Sequence, residues 1–186
     1  DVAIKDKKIH KIGQISEEAK EIIDASNHTV LPGCIDTQTH FREPGSTDTE
    51  DLHSGSRAAI AGGITSVFEM PNTNPPTSNK KEFQRKLDLA KNRMYCNYAF
   101  YFGATADNAD DLASLKDLEG CCGIKLFAGS STGNLLVAEE DDIDKVFQNA
   151  SKVVAVHSED EAILKINKKL ILSLIHISEP TRLSRI

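Results

Sequence analysis

From Pro32-Gly33 onward, short apolar runs alternate with longer amphipathic stretches, and this rhythm constrains the fold more than any other feature of the chain. Apolar runs at 34–38, 64–70, 95–102, 122–127 and 153–157 predict strands, while 49–61, 79–91, 108–117, 139–149 and 159–170 predict helices. Thr47 with Glu50, and Ser158 with Glu161, form candidate capping boxes for two of these helices. A helix between two strands carries the chain back to its starting end, so successive strands should run parallel. The pattern fits an open doubly wound sheet or a piece of a (β/α)8 barrel. Both architectures place chemistry at the C-terminal ends of strands, where His40, Asn72, Lys125 and His157 fall. No G-x-G-x-x-G follows the first strand, so a nucleotide site has no support.

The two ends of the chain read differently. "DVAIKDKKIHKIG" alternates apolar and polar residues about a Lys-rich turn, and "EIIDASNHTVLPG" repeats the pattern, predicting short antiparallel strands within 1–32. At the other end, "LSLIHISEPTR" (172–182) coincides with the translation of a common sequencing adapter. Residues 172–186 are therefore expected to be a non-native tail. The competing reading is a sixth strand, "LILSLIHI", with His176 as a metal ligand. Against it, no Gly, Pro or Asn cap separates the preceding helix from that strand.

Composition narrows the partners. The chain is 39% hydrophobic and 27% charged, ordinary for a globular protein, and its net charge of -6 gives no electrostatic reason to expect nucleic acid or an anionic membrane. Cys34, Cys96, Cys121 and Cys122 show no C-x-x-C spacing and are expected to be reduced core residues of a cytoplasmic protein. Small-molecule chemistry is the better starting point.

Within "IDTQTHFREPG" (35–45), Gln38 stands two places before His40. Residues i and i+2 of a strand share a face, so two imidazoles at this spacing can hold one metal ion; an amide is a poor substitute. His157 ends the fifth predicted strand. A lone strand-end histidine is more often a structural hydrogen-bonder than a ligand, but two on one rim with a lysine between them shift that balance. Lys125, in "CCGIKLF", lies in a run that should be buried. There an ammonium has to be neutralised by a carboxylate such as Glu69 or Glu159, or be catalytic, or be chemically modified. Arg42 and Asn72 offer donors suited to a carboxylate and an adjacent ring amide, or else brace their loops.

Four ordered stretches, "PGCIDTQTHFREPG", "AGGITSVFEMPNTNPPT", "GIKLFAGSSTGNLLV" and "VVAVHSED", resemble dihydroorotases of the amidohydrolase superfamily, the class with an REPG motif, over roughly residues 1–170. The resemblance implies an α/β fold: about five βα units of a TIM-type (β/α)8 barrel in 33–171, preceded by part of a small β-sandwich in 1–32. It implies a metal-dependent cyclic amidohydrolase interconverting N-carbamoyl-L-aspartate and L-dihydroorotate in pyrimidine biosynthesis. In that chemistry zinc activates water against the ring amide carbonyl, and a late-barrel aspartate shuttles the proton. Carried over by motif, His40, Lys125 and His157 are metal ligands for one or two zinc ions, with Lys125 carboxylated. Arg42 and Asn72 hold the substrate carboxylate, and Gln38 marks an altered ligand position. The remaining His ligand and the catalytic Asp belong to strands six to eight, outside these residues. Implied partners are the small-molecule substrate and a homo-oligomer or a complex with aspartate carbamoyltransferase, with neither nucleic acid nor membrane.

Two alternatives accompany this reading. Hydantoinases and allantoinases share the barrel and the cyclic-amide chemistry, but Arg42 fits an anionic carboxylate that a hydantoin lacks. A non-catalytic dihydroorotase-like partner of the transcarbamoylase is the other, kept alive by Gln38. Retention of Lys125, His157, Arg42 and Asn72 favours an active enzyme with altered metal content.

Overall fold

The structure is a computed structural model and describes residues 1–129 and 134–173. The expected tail at 172–186, His176, and the start of the "SSTGNLL" loop lie wholly or almost wholly outside the described residues. Asp1–Pro32 forms one compact unit and the chain from Gly33 forms another.

In the first unit, β1 (Val2–Lys5) and β2 (Lys8–Ile12) pair antiparallel through a turn in which Asp6 and Lys7 both take positive φ, 52° and 63°. The second predicted strand pair does not form: 21–32 carries no strand, and Ile22 and Ile23 are 83% and 81% exposed. The alternation is present in the residues, but an isolated two-stranded hairpin is a marginal template, and 21–32 adds no strand to it.

The second unit is a half-barrel. Its strands, β3 (Cys34–Thr39), β4 (Ile64–Glu69), β5 (Asn97–Gly103), β6 (Cys121–Phe127) and β7 (Val154–His157), form one five-stranded sheet in chain order with every pairing parallel. Between and after them run α1 (Leu52–Ala61), α2 (Lys80–Ala90), a 3-10 helix (Ala109–Leu115), α3 (Glu140–Asn149) and α4 (Glu161–Ser173). The core lies between the helices and one face of the sheet. There Phe83 of α2 meets Phe100 and Phe102 of β5 at ring-centroid distances of 6.4 and 6.2 Å, backed by Val67, Ile124 and Leu126. The opposite face carries Phe68 edge-on to Tyr101 at 6.5 Å, then Gly123, Lys125 and Phe127. Gly123 has no alternative there, since a Cβ would sit 2.8 Å from the Tyr101 ring.

Local details depart from the sequence expectations for physical reasons. Helix α1 is capped by Asp51, whose carboxylate accepts the Ser54 N–H at 2.6 Å while the Ser54 hydroxyl accepts the Asp51 N–H at 3.1 Å; Thr47 and Glu50 form no box. At α4 it is Asp160, not Ser158, that accepts the Ile163 N–H, at 2.9 Å. The third helix is 3-10, and its buried residues Ala109, Leu112 and Leu115 recur every three positions, matching three residues per turn. Of the cysteines, all free, Cys96 and Cys121 are buried and Cys122 is half-buried, but Cys34 is exposed. No helix among the described residues is long and apolar enough to cross a membrane.

Among the described residues β3 and β7 are the outer strands of the sheet, each with one unpaired edge. A parallel sheet left open at both edges and covered by helices on one face only does not bury enough surface for a cooperative fold. Residues 1–171 expressed alone are therefore expected to melt without a sharp calorimetric transition; a single cooperative peak would contradict this.

Candidate functional site

Strand β3 ends at Thr39, and the chain leaves the sheet between two buried anchors. Phe41 packs its ring where Gly55 of α1 has no side chain; a Cβ there would lie 2.4 Å from the ring. Glu43 accepts the Leu52 N–H at 2.9 Å, satisfying an orphan donor at the start of α1, and takes both guanidinium nitrogens of Arg93 at 2.8 and 3.1 Å. Half of the "REPG" motif is thus a brace. Between the anchors, Arg42 is exposed and forms no ion pair among the described residues.

His40 is half-buried, and its Nδ1 lies 2.9 Å from Asn72 Oδ1. An amide oxygen only accepts, so Nδ1 carries the proton and Nε2 keeps its lone pair. Burial holds the His40 pKa below its ordinary value, with the charges of Arg42 and Lys125 adding to the effect and the Asn72 hydrogen bond opposing it. The imidazole is therefore kept neutral, the form that can act as a ligand.

Lys125 on β6 is 3% exposed, and its Nζ lies 4.9 Å from the centre of the Phe127 ring. The two carboxylates considered as its neutralising partners are engaged elsewhere: Glu69 pairs with Lys86, and Glu159 hydrogen-bonds His157. No carboxylate among the described residues pairs with Lys125, and burial pushes its pKa down. His157, opposite Phe127 in the β6–β7 register, packs on that ring at 6.1 Å and holds Glu159 Oε2 at 2.7 Å from its Nε2. With the proton on Nε2, the free lone pair is on Nδ1.

Five of the six singled-out residues thus fall into two clusters on the C-terminal rim. His40, Asn72 and Arg42 stand at the ends of β3 and β4; Lys125 and His157 flank Phe127 on β6 and β7. Lys125 is near enough to His40 for its charge to be felt there. Gln38 is exposed, and its backbone N–H donates to Asp36 Oδ1 at 2.9 Å. No three His, Cys, Asp or Glu side chains among the described residues converge as a metal-binding group. The donors present fit a metal in kind, two imidazoles that each keep one ring nitrogen outside their side-chain hydrogen bond and a buried lysine without an ion pair among the described residues, while being too few to enclose one. Glu159 and Glu43 were the participants hardest to see in sequence. For Glu159 the only signal was its place two residues after a strand-end histidine.

Because His40 has a depressed pKa, the unfolded chain takes up this proton first as pH falls. His40 then contributes stability that is complete above about 6.5, the ordinary histidine value, and declines as pH drops through the lower, folded pKa. Nuclear magnetic resonance titration of the metal-free protein is expected to give His40 a midpoint below 6.5, and Asn72→Ala should lower it further by removing the opposing hydrogen bond. A midpoint at or above 6.5 would contradict the arrangement.

Comparison with known proteins gives the family and the fold. A family profile described as "Amidohydrolase family" matches residues 29–182. A dihydroorotase from Methanosarcina mazei is 36% identical over 165 residues, covering 87% of this chain and 36% of that protein. An allantoinase from Escherichia coli is 36% identical over 172 residues, covering 88% of this chain and 38% of that protein. Among solved structures, an L-hydantoinase (dihydropyrimidinase) from Arthrobacter aurescens superposes with a TM-score of 0.84 at 29% identity, covering 93% of this chain and 40% of that one. The chain spans little more than a third of the length of the curated relatives it matches.

Proposed function

The chain belongs to the amidohydrolase family, and from that premise we propose that it is the first part of a cyclic amide hydrolase, a dihydroorotase, interconverting N-carbamoyl-L-aspartate and L-dihydroorotate in pyrimidine biosynthesis. The observation that carries the reading is Arg42: an exposed guanidinium with no ion pair among the described residues, its charge felt at His40 and its chain held by buried neighbours on either side. A fork of donors at that position suits the carboxylate shared by both substrates. Asn72 spends its oxygen on His40, which leaves its amide hydrogens free to donate to the same carboxylate.

His40 through Nε2, His157 through Nδ1 and a carboxylated Lys125 would hold one or two zinc ions, which supply Lewis acidity for polarising the ring carbonyl and activating water. Lys125 is suited to carboxylation because burial favours its neutral amine, which adds to carbon dioxide and loses a proton to give an anionic carbamate. That change removes the uncompensated charge and creates two ligand oxygens. Glu159 orients the His157 ring, and Asn72 orients that of His40. Gln38 weakens the position that a second strand-one imidazole would serve, so one ion is the expected content. The protonating Asp and a further His would come from later strands, and the reaction would proceed in the cytoplasm, alone or in complex with aspartate carbamoyltransferase.

A second reading has its own support. The allantoinase is as similar in sequence as the dihydroorotase, and the L-hydantoinase shares the fold closely. Turnover of carbamoyl aspartate compared with allantoin and a 5-substituted hydantoin separates these, with zinc per chain measured on the same full-length protein. Dihydroorotate formation with about one zinc is expected. Arg42→Ala should lose about 2–4 kcal/mol of binding, roughly 30- to 700-fold in kcat/KM for the carboxylate substrate. Preferred hydantoin or allantoin turnover would move the assignment to those enzymes. No activity and no metal, even with zinc and bicarbonate supplied, would leave the non-catalytic partner.

A further inference from the structure

Behind the site lies an ion pair that the chemistry does not use. Glu69, the last residue of β4, and Lys86, in the middle of α2, are 1% and 0% exposed and in contact with one another. Desolvating two such ions costs several kcal/mol each, and buried pairs replaced by apolar residues of similar volume are often neutral or stabilising. Stability is therefore a poor explanation for this pair.

Their remaining contacts give a better one. Lys86 Nζ donates to the Met70 carbonyl at 2.9 Å, two residues before Asn72, and also lies 5.2 Å from the Phe100 ring centre. Glu69 faces the N–H of Phe41, the residue directly after His40, and feels the charge of Arg42. At this point β3 and β4 are leaving the sheet: the Met70 N–H donates to the Thr39 carbonyl at 2.9 Å, and the next backbone bond between the two exits is Asn74 N–H to the Pro44 carbonyl, also 2.9 Å. Between these two bonds, where His40 and Asn72 lie, no backbone hydrogen bond among the described residues joins the exits. A carboxylate that reaches one departing chain and an ammonium that reaches the other hold the two together where His40 and Asn72 must meet.

We propose that Glu69 and Lys86 are positioning residues, a buried clamp that fixes the β3 and β4 exits so that Asn72 holds the His40 ring with Nε2 turned toward the metal position. This rests on the reading of His40 as a ligand, and the pair acts through His40 and Asn72 without touching substrate. Burial sets the pair on a knife edge, raising the Glu69 pKa to about 7 and lowering that of Lys86. A lone member would be an uncompensated buried charge or would neutralise.

The test compares full-length parent protein, the single variants Glu69→Met and Lys86→Met, and the double variant Glu69→Met/Lys86→Met. Three quantities are read: melting temperature without metal, the nitrogen-15 shifts of the His40 ring without metal, and zinc affinity by chelator competition. The single variants should melt lower than the parent, and the double variant at or above it. In the double variant the His40 ring should lose its single tautomer, and zinc affinity should fall roughly 10- to 100-fold. Unchanged ring shifts with unchanged affinity would overturn the proposal. So would a double variant as destabilised as the singles, since the pair would then serve folding. If the parent itself holds no zinc, the ligand reading fails, and the ring shifts alone decide whether the clamp positions His40.

Discussion

A parallel sheet has to be covered, and here the helices cover only one side of it. The main apolar cluster of the second unit, from Phe83 on α2 through Phe100 and Phe102 to Ile124 and Leu126, is gathered between helices and sheet. The other face is consequently the side on which polar groups can sit, and strand alternation delivers them there. On β6 the sequence Ile124, Lys125, Leu126 alternates between core and opposite face, so Lys125 cannot be moved off that face without shifting its neighbours out of the core. The lysine's position is a by-product of packing, and no carboxylate among the described residues pairs with it there.

Much of this was legible because the period-2 and period-3.6 patterns are strong where both faces of an element matter. The five strands and their helices fall within a few residues of expectation for that reason. The failures share a physical cause as well. The 21–32 segment alternates convincingly, yet whether it pairs depends on a partner that sequence pattern does not reveal. Capping at Asp51 rather than Thr47 was decided by Glu43, which claims the Leu52 N–H from nine residues away and so fixes where α1 begins. The 3-10 helix was visible only in retrospect, in the three-residue spacing of Ala109, Leu112 and Leu115.

The site was legible as a set of residues but not as a set of bonds. His40, Asn72, Lys125 and His157 could be placed on one rim from strand ends alone. That His40 is bonded through Nδ1 and His157 through Nε2 could not, because Asn72 and Glu159 lie in loops beyond the strand ends, where no strand period fixes which ring nitrogen a side chain meets. Sequence suggested Glu69 as a partner for Lys125; Lys86, hidden on the inner side of a charged-looking helix, proved the stronger claimant. With Glu69 and Glu159 engaged elsewhere, Lys125 has no ion pair among the described residues.

Spatial order in the sheet repeats chain order without exception, β3 to β7. Each strand needs only the one made just before it, so contacts close over one βα unit at a time and no early strand waits for a distant segment. On a ribosome such a sheet can grow as it is synthesised, every new unit meeting a finished edge. The long-range problem is deferred to a single event, the meeting of the first strand with the last. Until then the two imidazoles at the rim remain partly exposed, while Lys125 is already buried in the half that has formed.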